Sequence, residues 1–446
     1  MSTTLLSQAV FALVGVAVSL SAAEPAASPD GAPRPLRERI KDEHVLGADH
    51  WIYNDLARAK EEARRLNKPI FVTFRCVPCK NCMSFDAEVA KGSELITTLA
   101  RANFVALRQV EMKGVDLSQF QFDYDLNWAA MFINADGTVY GRYGTQSAAG
   151  PDAFNSIASL EKAMLRVLAL HAAHPKNIAE LAAKHGANKP YPTALDMPGL
   201  DRKETLRGQT ERGNCIHCHN IHDAEQRQAA EAGAVNKDFL TRWPLPDNVG
   251  LHIDPQDGQK VERVEAGSAA ARAGLLAGDV ITQVNGQPII SIADIQWVLH
   301  NLPGGKAAAK FSVARAGQRL TKTVETAPGW KVGDISWRGS MWSLRPRPGF
   351  WAPEMTEDQL KAAGVPAGRR ALRIQNIGGN QPEGVAAKQA GLKAGDIIVG
   401  VDGRPLEMTP LQFHTYLRLE HRIGDQLPLA LWRDGKEERV LLPLVK

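Results

Sequence analysis

The stretch Ala273-Gly274-Leu275-Leu276-Ala277-Gly278-Asp279-Val280-Ile281 recurs 117 residues later as Ala390-Gly391-Leu392-Lys393-Ala394-Gly395-Asp396-Ile397-Ile398. The match continues, with Val284-Asn285-Gly286-Gln287-Pro288 answered by Val401-Asp402-Gly403-Arg404-Pro405. Each copy reads as a short helix ended by glycine, a tight Gly-Asp turn, a buried strand and an Asn-Gly or Asp-Gly turn. Each also closes on a hairpin, at Ala314-Arg315-Ala316-Gly317 and at Arg433-Asp434-Gly435-Lys436. The second half of the chain is therefore one structural unit used twice.

Outward from that repeat, the 446 residues hold about three domains at roughly 150 residues each. A hydrophobic content of 44% and a charged content of 23% exclude a collagen-like, disordered or many-span membrane chain. The net charge of +4 is spread along the sequence, so nothing points to nucleic acid. The five cysteines form two tight clusters, Cys76/Cys79/Cys82 and Cys215/Cys218. A disulfide scaffold would scatter them, so the clusters suggest two pieces of chemistry.

Residues 1–23 read as a signal peptide, with an apolar run from Leu5 to Leu20 and small residues Ser21-Ala22-Ala23 before Glu24. The first residues lack Lys and Arg, so an uncleaved anchor is the alternative, and membrane contact is expected only in that case. Either reading exports the chain, to the periplasm or another compartment outside the cytoplasm. Residues 24–49 read as a linker, Pro- and Ala-rich at their start.

In residues 50–172, Leu56, Ala59, Ala63 and Leu66 fall at helical spacing, and Asn67-Lys68-Pro69 ends that helix. Ile70 to Phe74 is a buried strand, followed by Arg75-Cys76-Val77-Pro78-Cys79-Lys80-Asn81-Cys82. A cysteine at a helix N-terminus has its thiolate stabilised by the dipole and free N–H groups, and a second cysteine one turn on can resolve a disulfide. Phe104 to Val110 predicts a strand, Met131–Ile133 and Thr138–Arg142 a hairpin around Asn134-Ala135-Asp136-Gly137, and Ile157, Leu160, Met164 and Val167 a final helix. This order resembles the thioredoxin fold. The resemblance aligns Cys79 and Cys82 with the thioredoxin pair and leaves Cys76 extra. Asn127-Trp128-Ala129-Ala130 lacks the proline that thioredoxins place opposite the disulfide, and Pro78 stands where they have Trp. Cys76, Cys79 and Cys82 are the candidate redox residues; a degenerate fold or a metal site is the alternative.

Residues 173–244 read as a linker segment carrying Cys215-Ile216-His217-Cys218-His219. Cys-x-x-Cys-His is the c-type haem attachment pattern, with Cys215 and Cys218 bonding the vinyl groups and His219 as proximal iron ligand. Met197 is the candidate distal ligand. A disulfide or thiol pair, or a zinc site using Cys215, Cys218 and His219 or His222, remains open.

The repeated Ala-Gly-Leu-x-x-Gly-Asp-x-Ile motif resembles bacterial PDZ domains. It implies one such unit at 245–329, a Trp/Pro-rich connector at 330–347 and a second unit at 348–446. PDZ domains capture a C-terminal peptide as an added strand and hold its carboxylate in a loop of N–H groups. By position the loops contain Val249, Gly250 and Leu251, and Gly349, Phe350 and Trp351. The groove helices lie near Ala293–His300 and Leu411–Leu417. Trp330, Trp337, Trp342 and Trp351 are expected to fill the interface between the units. Gly-x-Ser-x-Gly and His-Glu-x-x-His are absent, so no protease signature accompanies them.

The whole is a multidomain α/β and α+β protein: a thioredoxin-like domain, a short Cys-x-x-Cys-His segment and two PDZ-like domains. It resembles the bacterial thioredoxin/PDZ-domain (seleno)protein family through Arg75 to Cys79, Tyr140-Gly141-Arg142-Tyr143-Gly144, Cys215 to His219 and Asp334-Ile335-Ser336-Trp337-Arg338. Some members use selenocysteine at a motif position, for which Cys76 is the first candidate. The expectation is an exported thiol redox protein, c-haem-bearing, that docks protein or peptide partners by their C-termini and exchanges electrons with a further partner. A non-enzymatic envelope scaffold or a redox sensor is the alternative.

Overall fold

The computed structural model describes residues 34–45, 48–77, 83–231 and 237–446. The expected signal peptide, Cys79 and Cys82 lie outside these residues.

The first domain is a sheet of β1 (Trp51–Tyr53), β2 (Ile70–Arg75), β3 (Val105–Gln109), β4 (Trp128–Ile133) and β5 (Val139–Tyr143) in the order β1-β3-β2-β4-β5. The pairs β1/β3 and β3/β2 are parallel, and β2/β4 and β4/β5 antiparallel. Every residue of β2 to β5 is buried, as strands covered on both faces must be. Alternation assigns the faces. Ile70, Val72, Phe74, Leu107, Met131 and Ile133 join one core, and Phe71, Ala130, Phe132 and Tyr140 the other.

Three helices cover the second face: α2 (Met83–Ala87), α3 (Glu94–Asn103) and α4 (Ile157–Ala173). The first face carries α1 (Leu56–Leu66), capped by Asp55 and ended by Asn67 in the left-handed region. It also carries residues expected to be a linker. Ala194, Met197, Leu200, Leu206, Ile216, Ile221 and Ala224 are buried in the same core as β2 and β3. Residues 194–224 of the 173–244 segment are thus a layer of this domain, because the apolar face left beside α1 must be covered. The segment's longest helix is α5 (His219–Glu231). Likewise Ile40, Asp42 and Val45, at the end of the expected N-terminal linker, are buried.

The two repeats have matching elements. The first has β6 (Leu251–Ile253), β7 (Val261–Val264), α6 (Ala269–Arg272), β8 (Val280–Val284), β9 (Gln287–Pro288), α7 (Ile292–His300), β10 (Ala308–Arg315) and β11 (Gln318–Glu325). The second has β12 (Phe350–Trp351), an added α8 (Glu357–Ala362), β13 (Leu372–Arg373), β14 (Asn376–Ile377), α9 (Pro382–Gln389), β15 (Ile397–Val401), β16 (Arg404–Pro405), α10 (Pro410–Glu420), β17 (Gln426–Arg433) and β18 (Lys436–Pro443). The repeated aspartate has a structural role in both. Asp279 pairs with Arg315 at 2.6 Å and Asp396 with Arg433 at 2.6 Å, and each also accepts from the turn's backbone N–H.

Trp330, Trp342 and Trp351 do not fill an interface between the repeats. Trp330 packs into the first repeat's core, and Trp342 and Trp351 line a groove of the second. The connector is instead a latch. Its Arg338 is buried and bonds Asp123 at 2.6 Å and Asp125 at 3.3 Å, both in the first domain. Among the described residues, no helix is long and apolar enough to cross a membrane.

Candidate functional site

Cys76 follows β2 directly, so the sheet fixes its position at the edge of the first domain. The backbone of the Cys215–His219 stretch runs beside it. Ile216 is fully buried in the core, and its carbonyl accepts from Met112 N–H at 3.0 Å. With Ile216 turned inward, His217 turns the other way. Its Nδ1 lies 2.6 Å from Cys76 Sγ. The His217 backbone N–H donates to Asn220 Oδ1 (2.9 Å), and Asn220 donates to Asp223 (3.1 Å). His219 bonds the same Asp223 carboxylate at 3.1 Å, and its ring lies parallel to that of His217 at 5.7 Å. The arrangement is a thiol against an imidazole, with a second imidazole and a carboxylate behind it. An imidazole in contact with a thiol can accept its proton and leave a thiolate.

Beneath Cys76 lies a buried charge network. Arg75 bonds Asp86 at 2.6 Å, and Arg108 bonds Asp42 at 2.7 Å and Asp86 at 2.8 Å. Trp128 Nε1 and His44 Nδ1 also reach Asp86, at 3.1 and 2.7 Å. Burial alone would raise the Asp86 carboxyl, but Arg108, His44 and Arg75 outweigh it and hold it well below the usual carboxylate range. The sequence reading missed this network. Its signal was two arginines, Arg75 and Arg108, inside otherwise apolar strands.

Cys215 and Cys218 are in a different environment. Cys215 packs with Ile40, Val77 and Val110, and its Sγ donates to the Glu211 carbonyl at 3.2 Å. Cys218 packs against the domain core. They form no disulfide with each other. Burial, with Glu111 next for Cys215, pushes Cys215 up to about 11; burial pushes Cys218 up to about 12. Both therefore stay as thiols at neutral pH.

These residues do not fit a haem. The two sulfurs point into separate clusters of protein side chains where thioether bonds would need one open porphyrin edge. Met197 lines a cavity of about 420 Å³ with Tyr124, Tyr191 and Ile221, to which Cys215, Cys218 and His219 do not contribute. The residue of the motif that meets other chemistry is His217, one of its unspecified positions.

The expected peptide loops differ in surroundings. In the first repeat Val249, Gly250 and Leu251 are buried. The adjacent α7 is buried from Ile292 to Leu299 because the first domain packs on it. Asp294 accepts from the Arg142 N–H (3.1 Å) and pairs with Lys184 (2.8 Å), and Gln296 accepts from Thr145 (2.8 Å). Trp297 Nε1 donates to the Ala183 carbonyl (2.9 Å), and the Arg142 guanidinium stacks on its ring at 3.7 Å. The contact is tight enough that a Cβ at Gly141 would lie 2.5 Å from Ile290. Gly141→Val is therefore expected to loosen the two domains, read as new protease cleavage between residues 144 and 156; an unchanged digest would contradict this. In the second repeat Gly349, Phe350 and Trp351 line an open cavity of about 420 Å³.

Comparison with known proteins agrees with the architecture. A family model described as thioredoxin-like matches residues 51–135, and PDZ-domain models match residues 260–308 and 368–444. The chain is 34% identical over 176 residues to a probable periplasmic serine endoprotease DegP-like of Pseudomonas savastanoi pv. phaseolicola, covering 39% of this chain and 33% of that protein. It is 31% identical over 208 residues to a protein of the same description from Halomonas elongata, covering 45% and 40%. It is 31% identical over 153 residues to the periplasmic pH-dependent serine endoprotease DegQ of Escherichia coli, covering 34% and 30%. The chain thus spans at most 40% of the length of these relatives. What it contains is a thioredoxin-like domain followed by two PDZ domains in tandem, and PDZ domains bind peptide or protein ligands.

Proposed function

We propose that this is an exported thiol redox protein in which Cys76 is the nucleophile, His217 its base, and the second PDZ domain the docking site for a partner's C-terminus. The single observation that carries it is the 2.6 Å approach of Cys76 Sγ to His217 Nδ1. The periplasmic relatives and the expected signal peptide favour an envelope location.

In this reading the Cys76 thiol gives its proton to His217, and the thiolate attacks one sulfur of a partner disulfide. The partner's other sulfur leaves as a thiolate, and a mixed disulfide forms. A second thiol then attacks Cys76 Sγ, with Cys79, three residues on, as candidate. This closes an intramolecular disulfide and releases the partner with both thiols reduced. An external dithiol must return the two electrons.

The test is insulin-disulfide reduction by the full chain and by Cys76→Ser. Loss of turnover in the variant, with a mixed-disulfide peptide containing Cys76 in trapped samples, is expected. Reduction at only the uncatalysed rate by both proteins would favour a non-enzymatic scaffold, which the missing proline at residues 127–130 also suits, and equal turnover above that rate would overturn the role of Cys76. A Soret band in protein made with cytochrome-maturation machinery would restore a haem reading.

Because α7 is committed to the thioredoxin-like domain, we expect one peptide site per chain. Calorimetric titration with a C-terminal peptide measures this directly, and two equivalent sites would mean that the first groove opens.

A further inference from the structure

We infer that the groove of the second PDZ domain selects partner tails that carry side-chain carboxylates upstream of the terminal one, read by Arg347 and Arg418. This rests on the docking role proposed for that domain.

The cavity lies between β12 and α10. Trp342, Arg347, Phe350, Trp351, His414 and Arg418 are in its wall. The strand β12 pairs with β14 along one edge, so an incoming strand would add along the other, the usual way a sheet edge takes a peptide. Gly349 turns the loop with φ +76°, and a Cβ there would lie 2.1 Å from the Glu383 carbonyl oxygen, so only glycine fits. A PDZ loop holds one carboxylate, that of the chain terminus.

That leaves the arginines. Arg418 donates to the His414 carbonyl (2.8 Å) and the Leu344 carbonyl (3.3 Å), and its guanidinium lies 4.9 Å from the Trp342 ring centroid. Arg347 donates to the Trp342 carbonyl at 2.8 Å. Their partners are neutral carbonyls and a ring, and Glu383 is the one acid among the cavity-lining residues. Burial, and then repulsion from Arg347 and Arg345, lowers Arg418 to about 10; burial and Arg345 lower Arg347 as well, with Glu383 offsetting part of that. Crowded like charges of this kind are relieved by a bound anion.

His414 lines the same cavity. It is 5% exposed, and its Nδ1 has no hydrogen-bond partner. The ring packs between Trp351 (5.4 Å, nearly parallel) and Trp342 (5.3 Å). At the 117-residue offset of the repeat, His414 and Arg418 correspond to Trp297 and Asn301, so the charged reading belongs to the second domain.

The probe is a fluorescein-labelled ten-residue Gly/Ser peptide ending in Asp-Asp-Phe-Val with a free carboxylate, titrated by anisotropy with the full chain. Its counterparts carry Lys-Lys in place of Asp-Asp, or a C-terminal amide. The acidic peptide is expected to bind at least about tenfold more tightly than the lysine peptide, with a preference that shrinks as salt rises. The charge reversal Arg347→Glu, at a residue that is not buried, should abolish that preference. Equal affinity of the acidic and lysine peptides, no binding of the acidic one at about 1 mM, or a preference unchanged in the Arg347→Glu variant would each overturn the proposal. The amide separates the two claims. If it binds as well as the free acid, docking by the C-terminus fails, while the acid-over-lysine preference is judged on its own pair.

Discussion

Replacing His217 with alanine is expected to slow alkylation of Cys76 by iodoacetamide at about pH 6.5 by roughly an order of magnitude. At that pH a thiol with an unperturbed pKa of about 8.5 is only about 1% thiolate. A neighbouring imidazole that takes the proton makes the thiolate a major species. The gain in population is partly offset because a less basic thiolate is a weaker nucleophile, so the net effect is smaller than the population ratio. The sign in pH follows. The midpoint of the alkylation profile should rise in the variant, because the charged form has lost its partner. His217→Gln, which keeps bulk and removes basicity, should behave like alanine. Peptide mass analysis assigns the label to Cys76 among the five cysteines. Identical profiles in wild type and both variants would show that the 2.6 Å contact has no chemical consequence.

Arg338→Ala should destabilise the protein by about 3–5 kcal/mol, the cost of removing one partner from a buried ion pair. Asp123 would lose its 2.6 Å contact with the guanidinium, and Asp125 its 3.3 Å contact. Asp125 would keep His222 at 2.8 Å, while its contact with the Ser340 N–H at 2.8 Å depends on the same connector. Because Arg338 belongs to the connector, the loss should appear first as undocking of residues 332–347, measured by limited proteolysis, and as a lower first transition in scanning calorimetry.

The same site fixes a pH dependence. Burial would raise the Asp125 carboxyl, but His222, Arg338 and the Ser340 N–H outweigh it and hold it below its unfolded value. The stability it contributes is then present above about pH 4 and lost as pH falls through its folded pKa. Removing Arg338 raises that folded pKa, so the variant should begin to unfold at a higher pH than wild type. Acid unfolding at the same pH in both would contradict the assignment.

The elements legible in the sequence were those with strong local signals. The 117-residue repeat located β8 and β15, because the glycine, the Gly-Asp turn and the buried strand are set by neighbours in the chain. The hairpin at Asn134–Gly137 and the helix ended by Asn67 are of the same kind. The candidate site was only half legible. Cys76 stood out, but the Cys-x-x-Cys-His pattern drew attention to Cys215, Cys218 and His219, and the residue that meets Cys76 is His217. Nothing local separates His217 from its neighbours, since the partner is 141 residues away. Two stretches that carried the family resemblance also gain a role. Arg142, in Tyr140 to Gly144, holds the first PDZ helix through its N–H and its stacking on Trp297. Arg338, at the end of Asp334 to Arg338, ties the connector to Asp123 and Asp125.

By itself the sequence determined a thioredoxin-like unit, two PDZ units and two cysteine clusters, because periodicity, turn residues and motif spacing are local properties of the chain. Tertiary structure alone decided that residues 194–224 complete the first domain, that its packing buries the first PDZ helix, and that a histidine rests on Cys76. Those outcomes depend on which apolar faces are left uncovered once the sheet has formed, and burial of such faces links residues that have no relation along the chain.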